Sequence, residues 1–264
     1  MQNPSYTSIA AIAAIAAGTL AVASFAPQAN AAVVITEIIY NHEGSENASV
    51  EWFEIYNTGT EAVDLSGWKG RRTSTGAATD SSVFPVGTSL APSAAAIILQ
   101  DPSTASVAVT PATNPVTSLS NYNFANLWGP NIQLITVSAG LTLANGGTRV
   151  ALVDASNVEV DVVSYSTPAN GWPAADTGTT DGVSIYLKPG FIDTTSNDVG
   201  TNWARSTVGV DGASLALTIH PLISNALFAD TASPGVVVVP EPMSLSLIIG
   251  AATLGLARRR RSSK

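Results

Sequence analysis

Between its two terminal segments the chain alternates short apolar runs with turn residues, and helical periodicity is absent there. The apolar runs cover 33–40, 50–57, 94–100, 132–137, 148–154, 158–165, 182–187 and 213–219. Many short strands separated by turn residues are typical of a β-sandwich or barrel. The pattern therefore predicts an all-β fold.

The fifth and sixth runs are separated by three residues and predict a β-hairpin. In its second strand Val158, Val160 and Val162 share one face, while Glu159 and Asp161 lie on the other. Because side chains alternate along a strand, this pattern predicts a half-buried strand with the valine face inward.

The N-terminal segment reads as a secretory signal peptide. Residues 1–31 carry no charged side chain, and Ile9 to Ala23 is an apolar run too short to span a bilayer comfortably. Ala29 and Ala31 occupy the small-residue positions of a cleavage site, so the mature chain would begin at Ala32. The alternative is a buried Ala-rich helix.

The C-terminal segment combines an apolar run with a block of arginines. Met243 to Ala257 is fifteen residues long. As a helix it would span about 22 Å, short of the ~30 Å hydrocarbon core. The arginines at 258–261 would stay on the cytoplasmic side by the positive-inside rule. The segment predicts either a marginal anchor or a sorting signal that is later removed.

The order of parts in residues 239–264 resembles the PEP-CTERM sorting signal of exported bacterial proteins. The residues that carry the resemblance are Pro240, Glu241, Pro242, Arg258, Arg259, Arg260 and Arg261. The resemblance implies processing by an exosortase-type membrane protease, with cleavage near Pro-Glu-Pro. Until then the C-terminal apolar helix would hold the chain in the membrane. It also implies a location in the cell envelope, on the cell surface or in a polysaccharide-rich extracellular matrix.

The region between the two signals resembles the lamin-tail domain. The sequences that carry the resemblance are "VITEIIYN" (34–41), "EWFEIYNTGTEAVDLSGW" (51–68) and "VALVDASNVEVDVVSY" (150–165), with Asp161 and Tyr165 in a D-x-x-x-Y stretch. The resemblance implies an immunoglobulin-like β-sandwich over residues 32–235. Residues 101–123, rich in Pro, Thr, Ser and Asn, are predicted to form a surface insertion.

Charge and composition exclude several classes of function. Residues 32–235 hold six of the 11 basic and 18 of the 19 acidic residues, a net charge of −12. Such a surface repels phosphate backbones, so nucleic acid is not an expected partner. The chain has no cysteine, which excludes disulfides, thiolate nucleophiles and zinc–thiolate sites.

No sequence motif indicates an enzyme. The two histidines, His42 and His220, have no recognisable catalytic partner, and the usual hydrolase, nucleotide and zinc signatures are missing. Glu51 and Glu54 have an odd spacing, which puts them on opposite faces of one strand and argues against an acid/base pair. We therefore expect no catalytic residues and no cofactor.

A calcium site is conceivable in two acidic stretches, 176–182 and 193–198, where small polar residues separate the carboxylates. Neither stretch fits the EF-hand pattern. Asx-type turns between strands are the simpler explanation of both.

Two features could contact a ligand. Trp128 follows the insertion and could stack on a sugar ring, although core packing is the simpler role for a tryptophan. Lys69, Arg71 and Arg72 form a basic cluster that could engage an anionic polymer or only guard a strand edge. The sequence thus favours an exported non-enzymatic binding or structural module that could recognise matrix polysaccharide or surface proteins. The alternatives are a carbohydrate-binding module and an extracellular hydrolase or nuclease.

Overall fold

The computed structural model describes residues 33–41, 51–74, 76–100, 124–138, 140–166, 169–173, 182–216 and 230–239. Several sequence predictions fall outside these ranges. They concern the signal peptide, the insertion at 101–123, both histidines and the C-terminal sorting segment from residue 240 onward.

The described residues are nearly all β. The elements are β1 (Val33–Ile39), β2 (Trp52–Asn57), β3 (Val63–Asp64), β4 (Lys69–Ser74), β5 (Ala77–Asp80), β6 (Ser89–Leu90), β7 (Ala95–Gln100), α1 (Phe124–Trp128), β8 (Gln133–Val137), β9 (Thr148–Val153), β10 (Glu159–Tyr165), β11 (Ile185–Leu187), β12 (Trp203–Arg205), β13 (Ser214–Leu215) and β14 (Thr231–Ala232). Two short 3-10 turns, Ser196–Asp198 and Gly200–Asn202, precede β12.

Two sheets form the predicted β-sandwich. One sheet has the order β12-β11-β1-β2-β7-β8 and the other β10-β9-β4-β5. Their pairings are antiparallel except for β7 with β8, which run parallel. Side chains from both sheets, including Phe53, Ile55, Val150, Leu152 and Val163, share one hydrophobic core. The all-β sandwich predicted from the sequence is confirmed.

Gly70 lets β4 approach the larger sheet closely. A Cβ atom at this position would lie 2.8 Å from Leu141 Cδ2 and 3.3 Å from the Phe53 ring. Since real Cβ atoms do not approach so closely, a larger residue here would require the side chain of Leu141 to shift.

The outer face of the six-stranded sheet is also covered. Ile39, Trp52 and Ile97 on this face pack with Phe124 of α1 and Ala232 of β14 in a second, smaller hydrophobic cluster. The rings of Trp52 and Phe124 meet edge to face at 6.0 Å. Every residue of β1 and β2 is therefore buried, which explains why both read as nearly continuous apolar runs.

Asn57 fixes the turn that follows β2. The Asn57 Nδ2 amide donates to the carbonyls of Glu61 and Leu90 at 2.8 and 3.1 Å, and Gly59 N donates back to Asn57 Oδ1 at 2.9 Å. Leu65 is fully buried, and Trp68 is half-buried against the same core. The stretch 51–68 thus closes one end of the sandwich.

The predicted hairpin of β9 and β10 is present, but the predicted buried face of β10 is wrong. Asp161, Val163 and Tyr165 point inward, whereas Val160 and Val162 are half-buried and Val158 is exposed. The pairing shifts by one residue between Glu159 and Asp161. The carboxylate of Asp161 points inward because it accepts hydrogen bonds from buried donors, as described below.

Candidate functional site: a buried carboxylate pair

Two glutamates meet on the outer face of the larger sheet. Glu37 of β1 and Glu54 of β2 are directly opposite each other in the antiparallel pairing, and each is 1% exposed. Residues 230–239, the C-terminal stretch, lie over them. We call Glu37 and Glu54 the carboxylate pair.

The carboxylate of Glu37 accepts hydrogen bonds from three serines. Its Oε1 accepts from Ser184 Oγ at 2.5 Å, Ser233 N at 2.8 Å and Ser206 Oγ at 3.3 Å. Its Oε2 accepts from Ser233 Oγ at 3.1 Å. Burial raises the pKa of Glu37, and these hydrogen bonds oppose that effect by favouring the charged form.

The carboxyl of Glu54 has fewer donors. Its Oε1 accepts from Thr36 Oγ1 at 2.7 Å, and its Oε2 accepts from Gly235 N at 2.6 Å. Burial, together with repulsion from Glu37, raises the pKa of Glu54 to about 8. At neutral pH we therefore assign the proton of the pair to Glu54 and the negative charge to Glu37, which has more donors.

The carboxylate pair fastens the C-terminal stretch to the sheet. The backbone N–H groups of Ser233 and Gly235 donate to Glu37 and Glu54, respectively. Further backbone bonds run from Thr231 N to Gly182 O at 2.6 Å and from Ser184 N to Thr231 O at 3.0 Å. This contact joins segments about 180 to 200 residues apart.

A shallow cleft adjoins the pair, with an empty volume of about 250 Å³ that includes space open to solvent. Tyr186 and Asp211 line it and are joined by a hydrogen bond of 2.7 Å from Tyr186 Oη to Asp211 Oδ2. Burial and this bond raise the pKa of Tyr186 to about 12. Ser184, Ser206 and Ser233 are buried and donate to Glu37, so their hydroxyls are not presented to a substrate.

A β-bulge places Glu37 opposite Glu54. The pairing of β1 with β2 shifts between Ile35 and Glu37, so that Thr36 is the extra residue. Ile35 N donates to Asp161 Oδ2 at 2.6 Å. Asn197 Nδ2 donates to the same oxygen at 2.7 Å and contacts the Ile35 carbonyl at 3.3 Å. Asp161 thus fixes the backbone at the bulge, and burial raises its pKa to about 6.

Tyr165, the other residue of the D-x-x-x-Y stretch, also has a structural role. Its hydroxyl donates to the Ala144 carbonyl at 2.9 Å, and its ring stacks on Tyr40 at 5.1 Å. Burial raises its pKa well above the usual range.

The structure separates the predicted basic cluster. Lys69 and Arg71 share one face of β4 and both contact Asp80 at 2.6 Å, which lowers the pKa of Asp80 to about 2, chiefly through the Arg71 hydrogen bond. Arg72 follows Arg71 directly and so points to the opposite face. β4 lies between β9 and β5, so the sequence reading of a strand edge does not hold for it.

All five tryptophans lie within the described residues, and each is buried or half-buried. Trp52, Trp172 and Trp203 are buried, and Trp68 is half-buried. Trp128 is half-buried too, with its ring edge to face against Trp52 at 6.4 Å. The tryptophans therefore present no open aromatic platform.

The structure describes one of the two stretches considered for calcium and only the end of the other. Most of 176–182 lies outside the described residues. In 193–198, Asp193 Oδ1 accepts from the backbone of Thr195 at 3.0 Å and Ser196 at 2.8 Å, an Asx-type turn. Over the ranges that the structure describes, no group of three or more His, Asp or Glu side chains is arranged to hold a metal ion.

The residues of both processing signals lie beyond the described ranges. This applies to Ala29, Ala31, Pro240, Glu241, Pro242, Arg258, Arg259, Arg260 and Arg261. In the part of the chain that is described, no helix has the length and apolar character needed to cross a membrane.

The sequence pattern singles out Glu54 but not its partner Glu37. Glu37 is a carboxylate inside the otherwise apolar run "VVITEIIY", and such an interruption signals a buried charge. The prediction that Glu51 and Glu54 face opposite sides agrees with their contacts. Glu51 Oε2 accepts from Leu143 N at 2.5 Å on the inner side, whereas Glu54 binds the C-terminal stretch on the outer side.

A comparison with models of known protein families supports the fold. The family model of the Lamin Tail Domain matches residues 26–167, more than half of the chain. No curated protein matches the sequence significantly. A similar solved structure is the crystal structure of a DUF4876 family protein from Bacteroides thetaiotaomicron VPI-5482, which is 15% identical, with a TM-score of 0.41 over 68% of this chain and 72% of that chain. Because this family model matches more than half of the chain, the chain belongs to the lamin tail domain family.

Proposed function

We propose that the chain is an exported, non-enzymatic binding or structural module of a bacterial cell surface or extracellular matrix. The lamin-tail sandwich would be the working domain. The N-terminal signal would direct export, and the PEP-CTERM-like tail would hold the chain in the membrane until an exosortase-type protease releases it.

The observation that carries this proposal is how the sandwich uses its buried polar side chains. Glu37, Glu54, Glu51 and Asp161 each accept a hydrogen bond from the chain's own backbone. A general acid or base must instead reach a proton on a substrate. Burial and these backbone contacts account for the raised pKa values of Glu54 and Asp161, which supports a structural role for both carboxyl groups.

Matrix polysaccharide or surface proteins are the partners we propose. The acidic sequence disfavours nucleic acid. The half-buried Trp128 and the ion-paired Lys69 and Arg71 give no specific support to a dedicated sugar platform or a free basic patch. We therefore favour a binding or structural module over a dedicated carbohydrate-binding module or a hydrolase.

Two assays on the full chain test the proposal. The first measures hydrolysis of polysaccharide, peptide and DNA, with and without calcium or magnesium, and we expect no turnover. The second measures saturable binding to isolated matrix polysaccharide and to purified surface proteins. Turnover that disappears in a His42→Ala variant would overturn the proposal, because it would reveal a catalytic histidine.

A further inference from the structure

Exposed apolar side chains concentrate in two short stretches of the described chain. Twelve large hydrophobic residues are exposed among the described residues, and half of them come from 208–215 and 236–239. They are Val208, Val210, Leu215, Val236, Val238 and Val239. We call these six residues the valine patch.

The two stretches adjoin each other. β13 pairs with β14, with Leu215 opposite Thr231. A Cβ atom on Gly212 would lie 2.4 Å from Val236 Cγ1, so the turn at 208–213 contacts the C-terminal stretch. The two stretches that carry the six exposed side chains are therefore in contact. Exposed apolar side chains brought together in this way are typical of an interaction site.

The carboxylate pair fixes the position of this surface. Ser233 N and Gly235 N are bonded to Glu37 and Glu54, so the chain is attached to the sandwich up to Gly235. The described chain ends at Val239, four positions before Met243, where the apolar tail begins. Four residues reach at most about 14 Å.

We propose that the valine patch rests on the surface of a lipid bilayer while the tail at 243–257 is inserted in it. This rests on the proposed function, because it requires that the tail enter the membrane. A tether of this length keeps the patch close to the place where the tail enters the membrane. The effective concentration of the patch at the bilayer surface is therefore high. Inserting apolar side chains into the interface between headgroups and acyl chains lowers their free energy.

The charge of the surface favours apolar contact over attraction to anionic headgroups. Asp211 is the one charged residue within 207–215 and 231–239, and its carboxylate accepts from Tyr186 Oη. Basic side chains, which anionic lipids attract, are absent from these two stretches. The contact should therefore form on neutral phosphatidylcholine and change little with salt.

The absence of native cysteines makes single-site labelling direct. We would place a nitroxide label on Val208→Cys or Val236→Cys in the full chain, bound to phosphatidylcholine vesicles. The matched control is Val86→Cys, which is 95% exposed in the turn before β6. Accessibility to a water-soluble nickel relaxation agent should be several-fold lower at 208 and 236 than at 86, and accessibility to oxygen should be higher.

The label at Val208 decides whether the patch or only the tether lies at the membrane, because Val208 is remote from the tail in sequence. Adding Val210→Ser and Leu215→Ser to that labelled chain should restore most of its accessibility. The matched control adds Val83→Ser and Val158→Ser, two exposed positions outside the patch, and should leave the label protected.

The outcomes separate this inference from the proposed function. A chain that floats with vesicles while position 208 stays as accessible as 86 overturns the bilayer contact and leaves the tail anchor intact. A chain that does not float with vesicles overturns both. Protection without vesicles would show that another segment covers the patch. Spin–spin broadening at 236 that vanishes on dilution with unlabelled chain would show that a second copy does. Either result overturns the bilayer contact.

Discussion

Glu37 and Glu54 are opposite each other on adjacent strands with their carboxyl groups buried, and together they bind the backbone of Ser233 and Gly235. Two buried carboxylates side by side cannot both ionise without a large electrostatic cost. One of them therefore holds a proton at neutral pH, which makes the stability of the fold depend on pH.

The first prediction is that unfolding free energy falls as pH rises from about 4.5 to about 8. Glu54 has an ordinary pKa of 4.5 and a folded-state pKa of about 8, so the folded state binds the extra proton within this window. Its contribution is fully present below the unfolded pKa and is lost as pH passes through the folded pKa. The loss should be on the order of 4 kcal/mol. Urea unfolding at a series of pH values measures it.

A Glu54→Gln variant is the control for that slope. The amide is neutral at all these pH values, can accept from Gly235 N and can donate to the Thr36 hydroxyl. It should remove the part of the slope that Glu54 contributes, leaving the contributions of Glu37 and Asp161, whose pKa values burial also raises. Glu61→Gln, the same substitution at an exposed position, is the matched variant for the chemical change itself. An unaltered slope in Glu54→Gln would show that another group titrates.

The second prediction concerns Asp161, which fixes the bulge. Asp161→Ala leaves the buried Ile35 N–H and the Asn197 amide without their acceptor, so we expect a loss of about 3 kcal/mol. Asp161→Asn keeps one oxygen for both donors and should cost less than about 1.5 kcal/mol. Urea unfolding at pH ~7 compares them. Equal losses in the two variants would mean that the charge, not the acceptor geometry, is what matters.

The third prediction concerns the attachment of the C-terminal stretch. Gly235 has a φ of +81°, and a Cβ there would lie 3.1 Å from Ile132 Cγ1. Gly235→Ala should therefore weaken the stretch by about 1–3 kcal/mol. Hydrogen exchange of residues 231–236 should accelerate by roughly tenfold or more, with β9 and β10 unchanged.

Gly209→Ala is the matched variant for this experiment. Its φ is +84°, but a Cβ there meets nothing within 4 Å. It should speed exchange only within the turn at 207–213. If both variants accelerated exchange at 231–236 equally, strain at Gly235 would not be what governs the attachment.

The fourth prediction separates two kinds of ligand contact. If the chain binds a matrix polymer through Lys69 and Arg71, binding should weaken as salt rises, because screening reduces charge attraction. Contact through Trp128 should change little with salt and should be lost in Trp128→Ala. Affinity that survives Trp128→Ala and the double variant Lys69→Ala, Arg71→Ala would place the binding surface elsewhere.

The sequence predicts most strands that bury apolar side chains. β1, β2, β7, β8, β9 and β10 each coincide with an apolar run. β4, with the sequence "KGRRTS", has no large apolar side chain, yet it lies inside the smaller sheet. Backbone pairing with β9 and β5 and ion pairs with Asp80 hold β4 in position. These interactions produce no periodic pattern of hydrophobic residues in the sequence.

The carboxylate pair could not be predicted, because the sequences of β1 and β2 do not show which residues of the two strands are paired. Without the bulge between Ile35 and Glu37, Thr36 would lie opposite Glu54. The bulge depends on Asp161, more than a hundred residues away in sequence. The same contact explains the wrong prediction for β10, since alternation alone could not reveal that its carboxylate has buried donors.

Intact mass of the protein recovered from the surface of the producing bacterium tests the central claim most directly. Export and sorting as proposed predict a chain that begins at Ala32, ends near Pro240–Pro242 and lacks residues 243–264. The described sandwich, including the contacts of Ser233 and Gly235 with the carboxylate pair, would remain intact in that product. A mass that still includes Arg258–Arg261 would contradict the account and indicate a permanent anchor.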